Sequence, residues 1–542
     1  MKYITFIMTV AVVLAGAAGA NAPRFYPDDP VWTYPEPADA SAVTPRQASE
    51  IFDYLSNSFG EPGERTQRRA LNVNTIDEVP DSSWYVNRIG ARSMSIEEIV
   101  KGPDRSTGPV RGKWVVVSAK TEGVAPGFVM RDGEGQRFFV KLDPIGHPEL
   151  ATSAEIISTK IMHALGFHVP ENYLARVRPA DLAIGHSEKD NRPALSREDL
   201  NAVFAKAAGY PDGSYRIVAS KALPGKPLGP FTYENTRPDD PNDVIPHEHR
   251  RELRAMRVFA AWINNADLRS VNSLDTLVRE GNRTIVRHHL IDFGSTPGAG
   301  ASHPKSPRSG HETLWDTRRG LVRMATLGMA VPRWARIRYP EHPSIGRFEA
   351  EHFDPAKWTP HQTNMAHRNM RPDDAFWAAR KVMAFSDEAI RGIVRSASYS
   401  DPRVEEYVGD VLIARRNKIG RAWLIAVNPV VDVKLDAKGI LTFDNAAVSH
   451  LVATAPSHYE LSWAWFDNQS HTVTPFGETI RVRQPRASAP RELAGHRHDS
   501  CYVRLEVRAI NPEHGTSGTP VHVFFRHDHD GWKTVGLDRL PT

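Results

Sequence analysis

Asn264-Asn265-Ala266-Asp267-Leu268-Arg269-Ser270-Val271-Asn272, followed downstream by His288-His289-Leu290-Ile291-Asp292-Phe293-Gly294, is the stretch on which the reading of this chain turns. Glu248 to Asn264 has the pattern of a helix. Ser273 to Ile291 then reads as two strands around the turn Glu280-Gly281-Asn282. The order is therefore helix, polar loop with an aspartate and an asparagine, hairpin, second aspartate. Because His288 and His289 alternate along a strand, they cannot both face one site.

Upstream, Trp114 to Ala119 and Phe138 to Leu142 are β-rich runs separated by a loop with Gly123, Gly127, Gly133 and Gly135. The second run ends Phe138-Phe139-Val140-Lys141. Pro148 then opens a helix whose Leu150, Ile157, Ile161 and Leu165 share a face, and Gly166 closes it. Glu149 and Glu155 both lie on that helix.

Phosphoryl transfer needs alignment and charge neutralisation more than covalent help: a cation on the phosphates, oxygens on a metal, a carboxylate near the acceptor hydroxyl. Asp267 with a cation at the second position after it and Asn272 at the fifth resembles the catalytic loop of protein kinases. Asp292-Phe293-Gly294 resembles the metal-binding loop of the same superfamily. Lys141 resembles its strand lysine, with Glu155 preferred over Glu149 as helix partner. The resemblance implies that Asp267 acts on the acceptor, Arg269 and Lys141 on phosphate, and Asn272 and Asp292 on magnesium or manganese. It implies ATP or another nucleoside triphosphate as the donor.

The chain departs from regular protein kinases in three places. No Gly-x-Gly-x-x-Gly precedes Lys141, only the looser Gly123 and Gly127. Asn265-Ala266 stands where a His-Arg pair is expected, and the activation-loop end motif is missing. The resemblance is thus to the atypical branch: HipA-type, phosphoinositide-kinase-like and secretory-pathway kinases. The acceptor, a protein, a glycan or a small molecule, stays open. Nucleotidylyl transfer on the same fold and a non-catalytic binding or scaffold role are the alternative functions.

The 542 residues exceed one ordinary core, and a net charge of +4 gives no field of the size a nucleic-acid binder needs. Lys2, an apolar run from Ile4 to Ala15 and Ala20-Asn21-Ala22 have the layout of a cleavable leader over residues 1–22. No later segment is apolar enough to span a bilayer, so no transmembrane segment is expected in the mature chain. Cys501 is the only cysteine, which excludes an intramolecular disulfide and fits an exported bacterial protein, periplasmic or secreted.

The expected fold is α+β. A bilobal kinase-like core spans residues 111–425, with an N-terminal extension at 23–110 and an all-β, sandwich-like domain at 426–542. Within the extension, Ala48 to Phe59 reads as a helix with Ile51, Tyr54, Leu55 and Phe59 at helical spacing. Further helices are expected at Asp373 to Phe385, Asp387 to Ser396 and Val404 to Leu424. Asp239-Asp240-Pro241-Asn242-Asp243 reads as an acidic surface loop with Asx turns, and Asp530-Gly531 as a hairpin turn. His496 and His498 are placed in a polar loop. Trp463, Trp465 and Trp532 read as strand core rather than as a sugar-stacking face.

Overall fold

The computed structural model describes residues 22–47, 49–119, 125–186, 195–300, 302–327, 329–495, 501–510 and 519–540. The expected leader up to residue 21, Ala48, Gly123, His496 and His498 lie outside the described residues. Two compact units emerge. One comprises Trp32–Val73 and Val79–Ala426. The other comprises Val427–Pro541 with the segment through Val31 and Asn74–Glu78.

The larger unit begins with helices α1 (Glu50–Leu55) and α2 (Ile96–Lys101) and strands β1 (Trp114–Ala119), β2 (Gly127–Arg131) and β3 (Arg137–Leu142). Helix α3 (Leu150–Leu165), β4 (Asn172–Val177), β5 (Leu182–Ile184), α4 (Arg197–Ala205) and β6 (Tyr215–Lys221) follow. The six strands form one sheet in the order β4-β6-β3-β2-β1-β5, antiparallel except for the β1–β5 pair. The stretch before Lys141, expected as a glycine-bearing loop, holds β2 instead. Gly127 sits opposite Lys141 in the ladder, and Asp132 closes the β2–β3 turn by accepting from the amides of Glu134 and Gln136.

Helix α3 is buried along nearly its whole length rather than on one stripe. Asp143, two residues beyond Lys141, accepts from the amide and the hydroxyl of Thr152, 2.8 Å each, and so ties the first turn of α3 to the end of β3. Gly166 closes the helix at φ 119°, where a Cβ would lie 2.2 Å from the Tyr85 ring. Only glycine meets both demands.

Strand β7 (Lys226–Gly229) pairs with the hairpin of β8 (Ser273–Glu280) and β9 (Arg283–Leu290). Between them runs α5 (Arg251–Trp262). Register is the decisive feature here: Ser273 pairs with Leu290, so Asn272 before the hairpin and Ile291 after it emerge side by side, with the Ile291 amide donating to the Asn272 carbonyl at 3.0 Å. Beyond the hairpin come α6 (Thr317–Ala325), α7 (Met365–Arg368), α8 (Pro372–Met383), α9 (Asp387–Arg395) and α10 (Pro402–Trp423). Arg415 on α10 donates to the carbonyls of Ala261 (2.6 Å) and Trp262 (2.9 Å), satisfying the open end of α5 with a cation.

Helix α1 departs from its sequence expectation. The apolar spacing is present, but Ile51, Phe52, Leu55 and Phe59 face solvent, whereas Asp53 and Asn57 are buried. The polar stripe faces inward because partners wait there: Ser270 donates to Asp53, and Gln362 donates to its carbonyl.

In the smaller unit β10 (Val430–Leu435), β11 (Ile440–Asn445) and β14 (Arg486–Ser488) make one sheet, with the short α11 (Ala446–Ser449) after β11. Strands β13 (Val473–Val482), β12 (His458–Phe466), β15 (Tyr502–Ile510), β16 (Val521–Asp528) and β17 (Gly531–Asp538) make a second. Both contribute to one apolar cluster that includes Val430, Phe443, Leu461, Trp463 and Phe525. Trp463 is buried, and Trp465 stacks on Phe476. The lead-in through Val31 belongs to this unit rather than to the expected extension. Phe25 packs on Phe466 and Phe524, in space that exists because residue 536 is glycine: a Cβ there would meet the ring at 2.5 Å. Among the described residues no helix is long and apolar enough to cross a membrane.

Candidate active site

Lys141 is the hub. Its Nζ lies 2.9 Å from Glu155 Oε2 and 2.8 Å from Asp292 Oδ1. Burial alone would lower the pKa of this ammonium, but Asp292 and Glu155 outweigh burial and hold it above its usual value. Glu155 is itself fixed: its other oxygen accepts from the Phe293 amide (3.2 Å) and from Asn172 (3.4 Å). Glu149 serves elsewhere, accepting from the amide and hydroxyl of Ser400. Strand, helix and Asp-Phe-Gly turn therefore converge on one cation.

Asp292 has φ 59°, the left-handed region that is strained for a residue with a Cβ, though aspartate tolerates it better than most. Its carboxylate is 42% exposed, against 1% for Glu155, so one partner of Lys141 is buried scaffold and the other is open to a ligand. Phe293 is buried beneath it.

On the other side of the register pair, the Asn272 amide nitrogen donates to the Asp267 carbonyl at 2.7 Å. That bond leaves the amide oxygen, the one atom of the side chain that could bind a metal, outside it. Asp267 carries Arg269 on its carboxylate, Nε at 2.5 Å and Nη2 at 3.0 Å. Burial raises the Asp267 pKa, with the Asn272 bond and Lys305 pulling it down. The Arg269 guanidinium on the same carboxylate favours its ionised form, so Asp267 can accept a proton only once that contact opens.

Asp292 and Asn272 offer a hard-oxygen pair on adjacent ends of one hairpin, next to a fixed ammonium. This donor set suits magnesium or manganese and not a soft metal. The residues fit the metal that the resemblance implies.

No family model matches this chain, and no curated protein matches it. Among solved structures, the chain is similar to the Helicobacter pylori proinflammatory kinase CtkA at 13% identity and a TM-score of 0.30, covering 57% of this chain and 94% of that one. It is also similar to the Golgi casein kinase at 10% identity and a TM-score of 0.26, covering 72% and 96%. At these TM-scores neither likeness carries weight. The case rests on the geometry above.

Sequence reasoning missed Lys305, Asn264 and His361. Lys305 is buried and donates to the carbonyls of Asn264 (2.8 Å) and Ser295, clamping the segment after Asp292 to the start of the Asp267 loop. Asn264, at φ 48°, accepts from Trp358 Nε1 at 3.1 Å, while the amide of His361 donates to the Ala266 carbonyl at 2.8 Å. No motif marks these residues, because each acts through tertiary contacts, to backbone carbonyls for Lys305 and to the Trp358 indole for Asn264, that leave no local pattern.

Burial pulls the Lys305 pKa down to about 7, against the attraction of Asp267. Between pH 7 and the ordinary lysine range the unfolded chain therefore binds more protons at this group than the folded chain, so stability gains from Lys305 as pH rises and loses as pH falls toward 7. The urea midpoint of Lys305→Met is expected to climb less between pH 7 and 9 than that of the wild type. Parallel slopes would contradict this.

Two other clusters resolve as structure. The 239–243 stretch is not a solvated loop: Asp240 and Asp243 are buried, and Asp243 pairs with His247 (2.7 Å) and Arg250 (3.0 Å), which pins the chain ahead of α5. Asp528, His529 and Asp530 have ligand atoms within 4.8 Å of one another. Their proximity follows from the β16–β17 turn, where the Asp530 amide donates to Asp528. His288 stacks on Trp84 at 3.6 Å and bonds Asp275, whereas His289 bridges to His168.

Proposed function

We propose that this chain is an atypical kinase-like phosphotransferase, with a two-lobed core in its larger unit, that moves the terminal phosphate of a metal-bound nucleoside triphosphate to a hydroxyl acceptor. The observation that carries the reading is the convergence of Lys141, Glu155 and Asp292, with Asn272 brought by the hairpin register beside Ile291, the residue before Asp292. Asp292 and Asn272 would hold the metal, which would neutralise phosphate charge and orient the transferred group. Glu155, 2.9 Å from Lys141 Nζ, fixes the ammonium where it would meet the phosphates.

Asp267 receives the acceptor's hydroxyl proton. The acceptor oxygen forms its bond to the terminal phosphorus, the bond from that phosphorus to the bridging oxygen breaks, and the nucleoside diphosphate leaves with the electron pair. Arg269, already on Asp267, releases the carboxylate when its guanidinium meets the transferred phosphate. The leader layout supports export to a periplasm or beyond, where the nucleotide would have to be supplied.

The test separates binding from turnover. Asp267→Asn is expected to bind Mg·ATP as the wild type does and to lose phosphate release by on the order of 10²–10⁴-fold. Equal turnover in both proteins, or a product that carries the nucleotide instead of phosphate, overturns the assignment.

A further inference from the structure

A cavity of about 210 Å³ opens beside the catalytic turn, between Phe52, Asp53 and Ser56 of the first helical segment, Phe231 and Glu234 of the chain before α5, and Ser270. The cations that line it are paired elsewhere. Arg46 is paired with Asp239 (3.0 Å), Arg237 with Asp239 and Asp275 (3.1 Å each), and His247 with Asp243 (2.7 Å). Among the described residues no cation pairs with either Asp53 or Glu234. Asp53 accepts from Ser270 Oγ at 3.0 Å and from Asn57 Nδ2 at 3.1 Å. Glu234 is 7% exposed, lines the cavity, and its Oε2 has no hydrogen-bond partner.

A buried carboxylate oxygen without a donor is costly, and such groups are retained where a ligand completes them. Burial, with Asp53 close by and against the attraction of His247, pushes the Glu234 carboxyl up to about 7. The Asp53 pKa is raised by burial as well. The location is set by Ser270, three positions after Asp267 in the same turn, and by Tyr233, next to Glu234 in the chain, which lines a neighbouring pocket with Asp267 and Asn272.

We propose that this cavity binds the cationic end, an ammonium or a guanidinium, of the phosphate acceptor, so that the acceptor class is a hydroxyl compound bearing an amine or guanidine. The proposal rests on the phosphotransferase reading and names its substrate class. One cationic group inserted between Asp53 and Glu234 satisfies the orphaned oxygen, favours the ionised form of both carboxyls and leaves the rest of the acceptor to pass Ser270 toward Asp267. Phe52, with most of its ring in solvent at the mouth, adds a face for the cation to cross. A volume of this size admits one such group and excludes a folded surface.

The experiment is calorimetric titration of the full chain, with and without saturating Mg·ADP. Glucosamine is compared with N-acetylglucosamine, and a serine peptide containing arginine with the same peptide containing citrulline. The cationic member of at least one pair is expected to bind tenfold or more tighter than its neutral twin. Glucosamine responding identifies a small amine, and the peptide responding identifies a basic polypeptide. Glu234→Gln, nearly isosteric, is expected to erase the preference while leaving Mg·ADP stabilisation unchanged, and Asp53→Asn serves as the second variant. Equal affinity for both members of both pairs, or a preference that survives both substitutions, overturns the proposal. Loss of any Mg·ADP effect in the wild type would instead overturn the phosphotransferase reading, and the titrations without nucleotide would still judge the cavity.

Discussion

Asp292→Asn folds as the wild type does and loses phosphate transfer by on the order of 10²–10³-fold, the scale seen when one preorganised electrostatic contact to the transferring group is removed. The fold tolerates the change because asparagine also accepts the left-handed backbone found here at φ 59°. Glu155 remains on Lys141 at 2.9 Å, so the ammonium stays in place. What disappears is the anionic oxygen, the stronger of the two hard donors proposed for the metal. The defect should be partly relieved by raising the metal concentration, and a metal titration of turnover checks this. Activity within a few-fold of the wild type at low magnesium would mean that Asp292 is not a ligand.

Arg251→Met produces the largest loss of stability. Arg251 and Asp374 are both fully buried, with Nε 3.0 Å from Asp374 Oδ1 and Nη2 3.2 Å from Asp373 Oδ2. Arg254 reaches Asp374 only at 3.6 Å. Removing one member of such a cluster strands a carboxylate in the interior, at a cost of about 3–5 kcal/mol. The cluster joins the first turn of α5 to the first turn of α8, and α5 runs directly into the Asp267 loop. Urea unfolding should show the loss, and the residual folded protein should show weakened turnover because the loop is no longer anchored. A change below about 1 kcal/mol would mean that the surroundings relax to solvate Asp374.

The parts of the site that could be read from sequence are those with short-range grammar. The Asp267-to-Asn272 spacing, the hairpin turn at Gly281-Asn282 and the Asp-Phe-Gly tripeptide lie within one contiguous stretch, so their order alone constrained them. Glu155 is preferred over Glu149 in sequence because it lies farther along the helix and off its apolar stripe, and in the structure its Oε2 is 2.9 Å from Lys141 Nζ. Lys305 was illegible because a lysine bonding two backbone carbonyls leaves no pattern. Helix α1 misled for a different reason. Apolar spacing reports periodicity, and the inward face was decided by the partners of Asp53 and Asn57. Strand β2 was hidden by its flanking glycines, which suggest loop to any reading of local propensity.

The central claim, one nucleotide and metal site built on Lys141, Glu155, Asp292 and Asn272, is tested most directly by thermal unfolding of the full chain with magnesium or manganese and ATP, added separately and together. A ligand that binds only the folded chain stabilises it by about 2.7 kcal/mol at a hundredfold excess over its Kd. The account predicts a rise in Tm that requires nucleotide and metal together and is reduced in Asp292→Asn. An unshifted Tm with ATP, GTP or AMP and either metal, in a protein shown to be folded, would contradict it.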